Sequence, residues 1–269
     1  MNARAAMRGM HDVERESTMY KLARDTWLVF ARQMGLLLRN PVWVFVGLMQ
    51  PLFFLLLFGP LLKGVPGLGG SNAYKIFIPG LLIQLALFGT LFVGFPLISE
   101  LRMGIIERMR VTPVSRFALL IGRAGSATTM LLFQGLVLVL LAIPFGLRVQ
   151  VWPLLLTLAL LALIALFCSS LSYGVALWLK SEDALAPLLN LVSMPVLLLA
   201  GILLPMQYGP HWLRVLSDYN PFKWSVDAAR HLFAGQTGDP SVWKALVIVG
   251  ALAVVVVGWA ARSFAKAVR

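Results

Sequence analysis

The chain has 269 residues, 59% of them hydrophobic and 13% charged, with a mean hydropathy of +0.85. A soluble domain of that size has no interior large enough to hide so much apolar surface, so the bilayer acts as solvent for most of it. The net charge of +12 fits basic residues flanking membrane spans and gives no reason to invoke nucleic acid.

The single Cys168 sits in an apolar run, so no disulfide framework or thiolate metal site is expected. His11, His211 and His231 are scattered without ligand spacing.

Residues 1–17 are polar and mixed in charge and read as a cytoplasmic tail. Residues 1–39 lack the apolar core of a cleaved signal peptide. From Tyr20 the pattern turns helical, with Lys21, Asp25, Arg32 and Arg39 on one stripe. Ala23, Trp27, Phe30, Met34, Leu37 and Leu38 fall opposite. Such a helix suits the membrane interface, its basic stripe towards lipid phosphates.

Six uncharged runs follow, residues 41–62, 76–99, 124–147, 149–179, 184–205 and 245–261, and the spans built on them are placed at about 42–62, 76–99, 117–146, 152–179, 184–205 and 243–262. Most reach the roughly 20 residues a helix needs to cross a bilayer. The expected domains are therefore 1–40, a six-span unit at 41–262 and a short tail at 263–269. Prolines punctuate the runs, each removing a backbone donor. Pro51 and Pro195, with Gly201 beyond the latter, are the hinge candidates.

No Asp, Glu, Lys or Arg falls inside the runs, which argues against an ion-coupled carrier. The polar residues there are uncharged: Gln50, Gln84, Gln134, Asn190 and the cluster from Cys168 to Tyr173. Ala86, Thr90 and Gly94 form a small-residue face suited to helix packing.

Between the second and third runs lies a charged loop carrying Arg102, Arg108, Arg110, Arg116 and Arg123 with Glu100 and Glu107. Wound as a helix, residues 100–111 put Ile105, Ile106 and Met109 on one side. Glu100, Gly104, Glu107 and Arg108 fall on the other. Thr112 then suits an N-cap and Pro113 the first helical position. Topology alone explains the Arg residues. Two Glu, a Gly and a Pro stop at ordered spacing point further, to a short helix offered to a soluble partner.

After the fifth run, residues 210–216 read as a short amphipathic helix or turn. Asn220 is a good N-cap, Pro221 suits the first helical position and Gly235 the stop. Lys223, Asp227 and Arg230 or His231 make a charged stripe, opposite Phe222, Val226, Ala229 and Phe233. With both termini cytoplasmic, 16 of the 23 Lys and Arg lie inside and 7 outside. The positive-inside rule favours that orientation.

No Gly-x-x-x-x-Gly-Lys-Ser/Thr occurs, so the chain has no P-loop for ATP. It also has no paired-carboxylate site or nucleophile elbow, and it is not expected to be an enzyme by itself.

At Gly104-Ile-Ile-Glu-Arg-Met-Arg-Val-Thr-Pro-Val-Ser-Arg116, Gly122-Arg123, and Asn220-Pro-Phe through Asp227-Ala-Ala-Arg230 to Gly235, the chain resembles permease subunits of ABC-2 type transporters. The drug- and lipid-export branch, with its daunorubicin-resistance permeases, is nearest. The resemblance covers nearly everything after about residue 20.

It implies an all-α membrane protein with six transmembrane helices. An N-terminal interfacial helix, a cytoplasmic coupling helix, and short external re-entrant or interfacial helices between helices 5 and 6 complete the fold. It further implies a separate ABC ATPase in two copies, which binds ATP and Mg, while this chain holds no cofactor or metal. A second permease copy or a homologous permease would complete the pathway in the cytoplasmic membrane.

ATPase coupling would fall to Glu100, Arg102, Glu107, Arg108, Arg110, Thr112, Pro113 and Arg116. The external gate would comprise Asn220, Pro221, Asp227, Arg230 and Gly235. The N-terminal helix would touch the ATPase or serve only as an anchor. The cargo implied is amphipathic or lipid-like, with a lipid-linked glycan as the alternative. An ATP-independent channel or carrier, or a membrane scaffold, ranks lower.

Overall fold

A computed structural model describes residues 3–40, 42–63, 71–104, 115–202, 206 and 209–267. Among these residues every regular element is helical. The helices are α1 (Ala3–Arg39), α2 (Val42–Lys63), α3 (Ser71–Leu91), α4 (Phe95–Arg102) and α5 (Arg116–Ala142). Then come α6 (Val151–Leu179), α7 (Glu182–Leu199), α8 (His211–Asp218), α9 (Pro221–Phe233) and α10 (Pro240–Ala267).

Five stretches are long and apolar enough to cross a membrane: Tyr74–Arg102, Arg116–Phe145, Val151–Leu179, Glu182–Leu199 and Pro240–Phe264. The first expected span corresponds to α2, whose described apolar stretch, Phe45–Leu61, is shorter.

The sheath of helices is built around α3, which packs against α2, α5, α6 and α9. Within the apolar part of Tyr74–Arg102, 72% of residues are buried, against 17% in Glu182–Leu199, so α3 is the axis and α7 the least enclosed span. In lipid, such packing is held by close van der Waals contact and hydrogen bonds rather than by escape from water. Small residues supply the close contact. A Cβ added at Gly174 of α6 would lie 2.1 Å from the Trp259 ring of α10, so only glycine lets these two helices meet there.

The second expected span is not one helix. It breaks after Leu91 and resumes at Phe95 as α4. Pro96, in the first turn of α4, has no N–H to continue the ladder. The Gly94 amide leaves it too and donates to Ser172 Oγ of α6 at 2.9 Å. Ala86, Thr90 and Gly94 are all buried. The Thr90 hydroxyl donates to the Ala86 carbonyl at 2.6 Å, which keeps this face compact.

Other boundaries also moved. The expected N-terminal tail is helical from Ala3, continuous with the predicted interfacial helix. The fifth span ends at Leu199, because Gly201 adopts φ +67° and turns the chain out of the helix. The last span starts early, at Pro240, where Asp239 Oδ1 accepts the Ser241 N–H at 2.8 Å and caps α10.

Helix α1 is rotated relative to the expected stripes. Asp25 and Val29 are buried against α5, while Trp27 and Leu28 face outward. The cause lies in α5. A Cβ at Gly122 would come within 2.8 Å of Val29 Cβ and 2.9 Å of the Thr26 carbonyl, so the glycine receives α1 at close range.

Candidate functional site

Two polar joints stand at opposite ends of the Tyr74–Arg102 span. One lies at the end of α4, where the charged loop departs. There α4 stops at Arg102, and Gly104 takes φ +67°, with its N–H donating to Leu101 O at 3.1 Å. A left-handed glycine ends a helix at no steric cost. The helix expected over 100–111 is therefore not continuous, since its first turn belongs to α4. Ile105, Ile106, Met109, Glu107, Arg108, Arg110, Thr112 and Pro113 lie outside the described residues. The next described helix starts at Arg116 with Ser115 extended before it.

Glu100 turns inward and pairs with Arg123 of α5, and their side chains are 17% and 5% exposed. Both residues fall within stretches able to span a membrane, which corrects the expectation that the spans hold no charge. Helix packing buries them, and mutual neutralisation makes that tolerable. Tyr173 of α6 lies within electrostatic reach of both. Arg102 is exposed, and Arg116 is half-buried.

A third helix joins the same place. Asp25 of α1 accepts the Ser115 N–H through Oδ2 at 3.2 Å. Ser115 makes no side-chain cap of its own, so the carboxylate from α1 sits at the start of α5 instead. The loop therefore leaves and re-enters a base in which α1, α4 and α5 are bound by charge-assisted hydrogen bonds.

The other joint is made by α9. Asn220 caps it as expected, Oδ1 accepting the Phe222 N–H at 3.0 Å, and Pro221 takes the first position. Gly235 follows the last turn with φ +86°, its N–H donating to Leu232 O at 2.9 Å. The Asn220 amide also reaches α7, where Nδ2 donates to Val196 O at 2.7 Å. Lys223 pairs with Asp218 of α8, and Trp224 Nε1 donates to Asp218 O at 2.9 Å, so α8 and α9 form one bracket.

Arg230 is not a solvated charge. Its Nη2 donates to the carbonyls of Gly201 at 2.7 Å and Ile202 at 3.1 Å, beyond the end of α7. Nε donates to Ile76 O of α3 at 3.1 Å, and Asp227 lies 3.6 Å from Nη1. Burial lowers the pKa of Arg230, against the pull of Asp227. Burial raises that of Asp227, with Arg230 and Lys223 opposing it. Two gate candidates, Asp227 and Arg230, are thus brought together with the hinge candidate Gly201. Pro195 sits in the last turns of α7, next to the carbonyl that Asn220 holds. Pro51 lies apart in α2.

Sequence reasoning missed Asp25, Ser115 and Ser172 as joint residues and read Arg123 only as loop charge. The single signal available was Gly122-Arg123, which marks close helix contact beside a charge.

A groove of about 520 Å³ runs along one face of α2, lined by Gln50, Phe53, Phe54 and Phe58 among others. Phe88, Phe92 and Phe95 stack in sequence along α3 and α4 with centroids 6.2 and 6.0 Å apart. Among the described residues no group of three metal-ligating side chains converges.

The family model of the ABC-2 type transporter matches residues 24–234. A protein of Cyanophora paradoxa named as a transport permease, ycf38, is 26% identical over 222 residues, covering 81% of this chain and 77% of its own. The daunorubicin resistance ABC transporter permease protein DrrB1 of Streptomyces coeruleorubidus is 24% identical over 218 residues, 80% of this chain and 77% of that protein. YbhR of Escherichia coli K12, a multidrug ABC transporter permease by name, is 24% identical over 182 residues, 64% of this chain and 48% of its own. With a family match across most of its length and several helices able to span a bilayer, this chain is a multi-pass membrane protein belonging to the ABC-2 type transporter family.

Proposed function

We propose that this chain is the permease subunit of an ATP-driven exporter that moves an amphipathic or lipid-like substrate, coupled to a separate ATPase subunit. The names of DrrB1 and YbhR support a drug or multidrug cargo. The observation that carries the coupling is the braced base of the loop. Glu100–Arg123 and Asp25–Ser115 join α4, α5 and α1, so a push on the loop reaches three helices together.

In this reading α2 is the first of six spans, both termini are cytoplasmic, and the domain bounds follow the hydropathy pattern. Two ATPase copies bind the ATP and Mg, and a second permease closes the pathway. Glu107, Arg108 and Arg110 contact the ATPase, with Arg102 and Arg116 flanking them and Thr112 and Pro113 setting the corner. Glu100 serves as a brace rather than a contact. The bracket of α8 and α9 closes the far end of the pathway. The groove on α2 and the stacked phenylalanines offer apolar and aromatic walls to the cargo, with Gln50 as a polar point.

The test is co-purification with the partner ATPase in mild detergent, followed by ATP turnover. Wild type is expected to retain the ATPase. Glu107→Ala and Arg110→Glu are expected to lose it or to uncouple turnover. Equal behaviour of all three chains would overturn the coupling assignment.

A further inference from the structure

We propose that the outward face of α2 is the seam on which a second copy of this chain seats, with the Gln50 carboxamides of the two copies hydrogen-bonded to each other. This rests on the transport reading above, which calls for a second permease, and says where that permease sits.

One amide in the spans is left over. Of the four carboxamides inside the apolar runs, Gln84 and Gln134 are buried within the bundle. Asn190 returns its Nδ2 to the Ala186 carbonyl of its own helix at 3.0 Å. Gln50 is exposed, and no other described residue bonds it. It stands about 12 Å along α2 from Val42 and about 20 Å from Lys63, too deep for a short side chain to reach water at either end. An amide facing acyl chains has nothing to bond, and hydrocarbon makes that costly.

The residues around it have the spacing of a helix partner's footprint. Val46, Gln50, Phe53 and Leu57 follow one another at steps of four, three and four residues, the rhythm of a helix–helix seam. All four are exposed, and all four line the groove, whose walls come from α2 alone. Leu48 and Leu55, the packed side of the helix, lie opposite. One polar residue in an otherwise apolar seam is a device that fixes the register of paired helices.

Two copies inserted in the same orientation carry their α2 helices parallel, so across a two-fold axis each residue meets its own counterpart at the same depth. A carboxamide holds both a donor and an acceptor, so Gln50 satisfies Gln50 of the second copy. Cargo would hold the amide only while bound, whereas a second copy holds it throughout. The second permease that closes the pathway then does so at α2.

The test uses full-length chain in liposomes, in a Cys168→Ser background, with one spin label per chain. Leu57→Cys places the label on the seam and leaves Gln50 intact. Val247→Cys places it on α10, where the side chain is 69% exposed. Dipolar spectra then report distances between copies, with no ATPase present.

Labels at 57 are expected to lie closer together than labels at 247. Gln50→Leu, which touches nothing in the packed bundle, is expected to weaken association about tenfold on dilution into lipid. Gln50→Asn is expected to recover part of that loss. If labels at 247 are as close as those at 57, if neither pair couples, or if Gln50→Leu associates like wild type, the proposal is overturned. Altered cargo handling by Gln50→Leu with association unchanged would give the amide to cargo and overturn it as well. The ATPase co-purification above tests coupling separately: chains that pair at α2 but retain no ATPase keep the seam and lose the transport reading.

Discussion

The Asp25 carboxylate on α1 accepts the main-chain N–H of Ser115 at 3.2 Å, bridging 90 residues of sequence. A hydrogen bond from a main-chain N–H to a carboxylate is worth about 1.5–3 kcal/mol, and this one holds the residue just before α5 to α1. Asp25→Ala is expected to lower ATP turnover of the complex several-fold while the protein still reaches the membrane. Asp25→Asn keeps an acceptor oxygen and is expected to stay near wild type. Equal turnover in the alanine and asparagine variants would show that the acceptor is irrelevant.

Breaking the Glu100–Arg123 pair leaves one charge buried and unmatched, at a cost of about 3–5 kcal/mol. Arg123→Met and Glu100→Leu are each expected to lower the thermal midpoint in detergent. Combining them removes both charges and is expected to recover most of the loss. A double variant as unstable as either single one would mean that the pair is not mutually compensating. Size-exclusion profiles after heating give the measurement.

Gly174 sits beneath the Trp259 ring with no room for a methyl group. Gly174→Ala is expected to destabilise the α6–α10 contact by about 1–3 kcal/mol, the usual cost of overpacking. Trp259→Leu in the same chain is expected to relieve much of it. Thermal midpoints of the single and double variants decide the matter, and additive losses would argue against direct contact.

Asp227 gives a pH dependence of definite sign. Its pKa is raised in the folded protein, chiefly by burial, so the folded state binds the proton more tightly than the unfolded chain. The stabilising contribution is complete below the ordinary carboxylate pKa and fades as pH rises through the raised one. Asp227→Asn is expected to flatten this part of the stability profile. Thermal midpoints across the acidic to neutral range, wild type against variant, are the readout. A wild-type profile that rises with pH in that window and survives the substitution would remove Asp227 as the cause.

The ends of α9 were legible because capping is local chemistry: Asn220, Pro221 and Gly235 declare their roles within a few residues. The same rule applies to Asp239-Pro240, but the apolar run that marks the last span begins later and hides it. The break at Gly94 was not legible, because its hydrogen-bond partner Ser172 is 78 residues away. In sequence Asp25 falls on the charged stripe turned towards lipid phosphates, because an acidic residue among basic ones looks like part of it. Only packing against Gly122 shows which side of α1 is covered. Arg123 and Glu100 bounded the apolar runs in sequence and so looked like loop charges, whereas helix packing draws them inside. The roles of the loop residues rest on their pattern and on family membership.

The interruption at Gly94 changes how load travels through the molecule. A continuous rod from Tyr74 to Arg102 would carry a thrust at one membrane face straight to the other. Here the rod is in two pieces, and the seam is tied sideways to Ser172. In the proposed coupling, thrust arriving at Glu100 would pass into α6 through the Ser172 tie before reaching Ile76. Helix α6 in turn lies against α10 through Gly174 and Trp259, so in the proposed coupling it would be the crossbeam between the two faces.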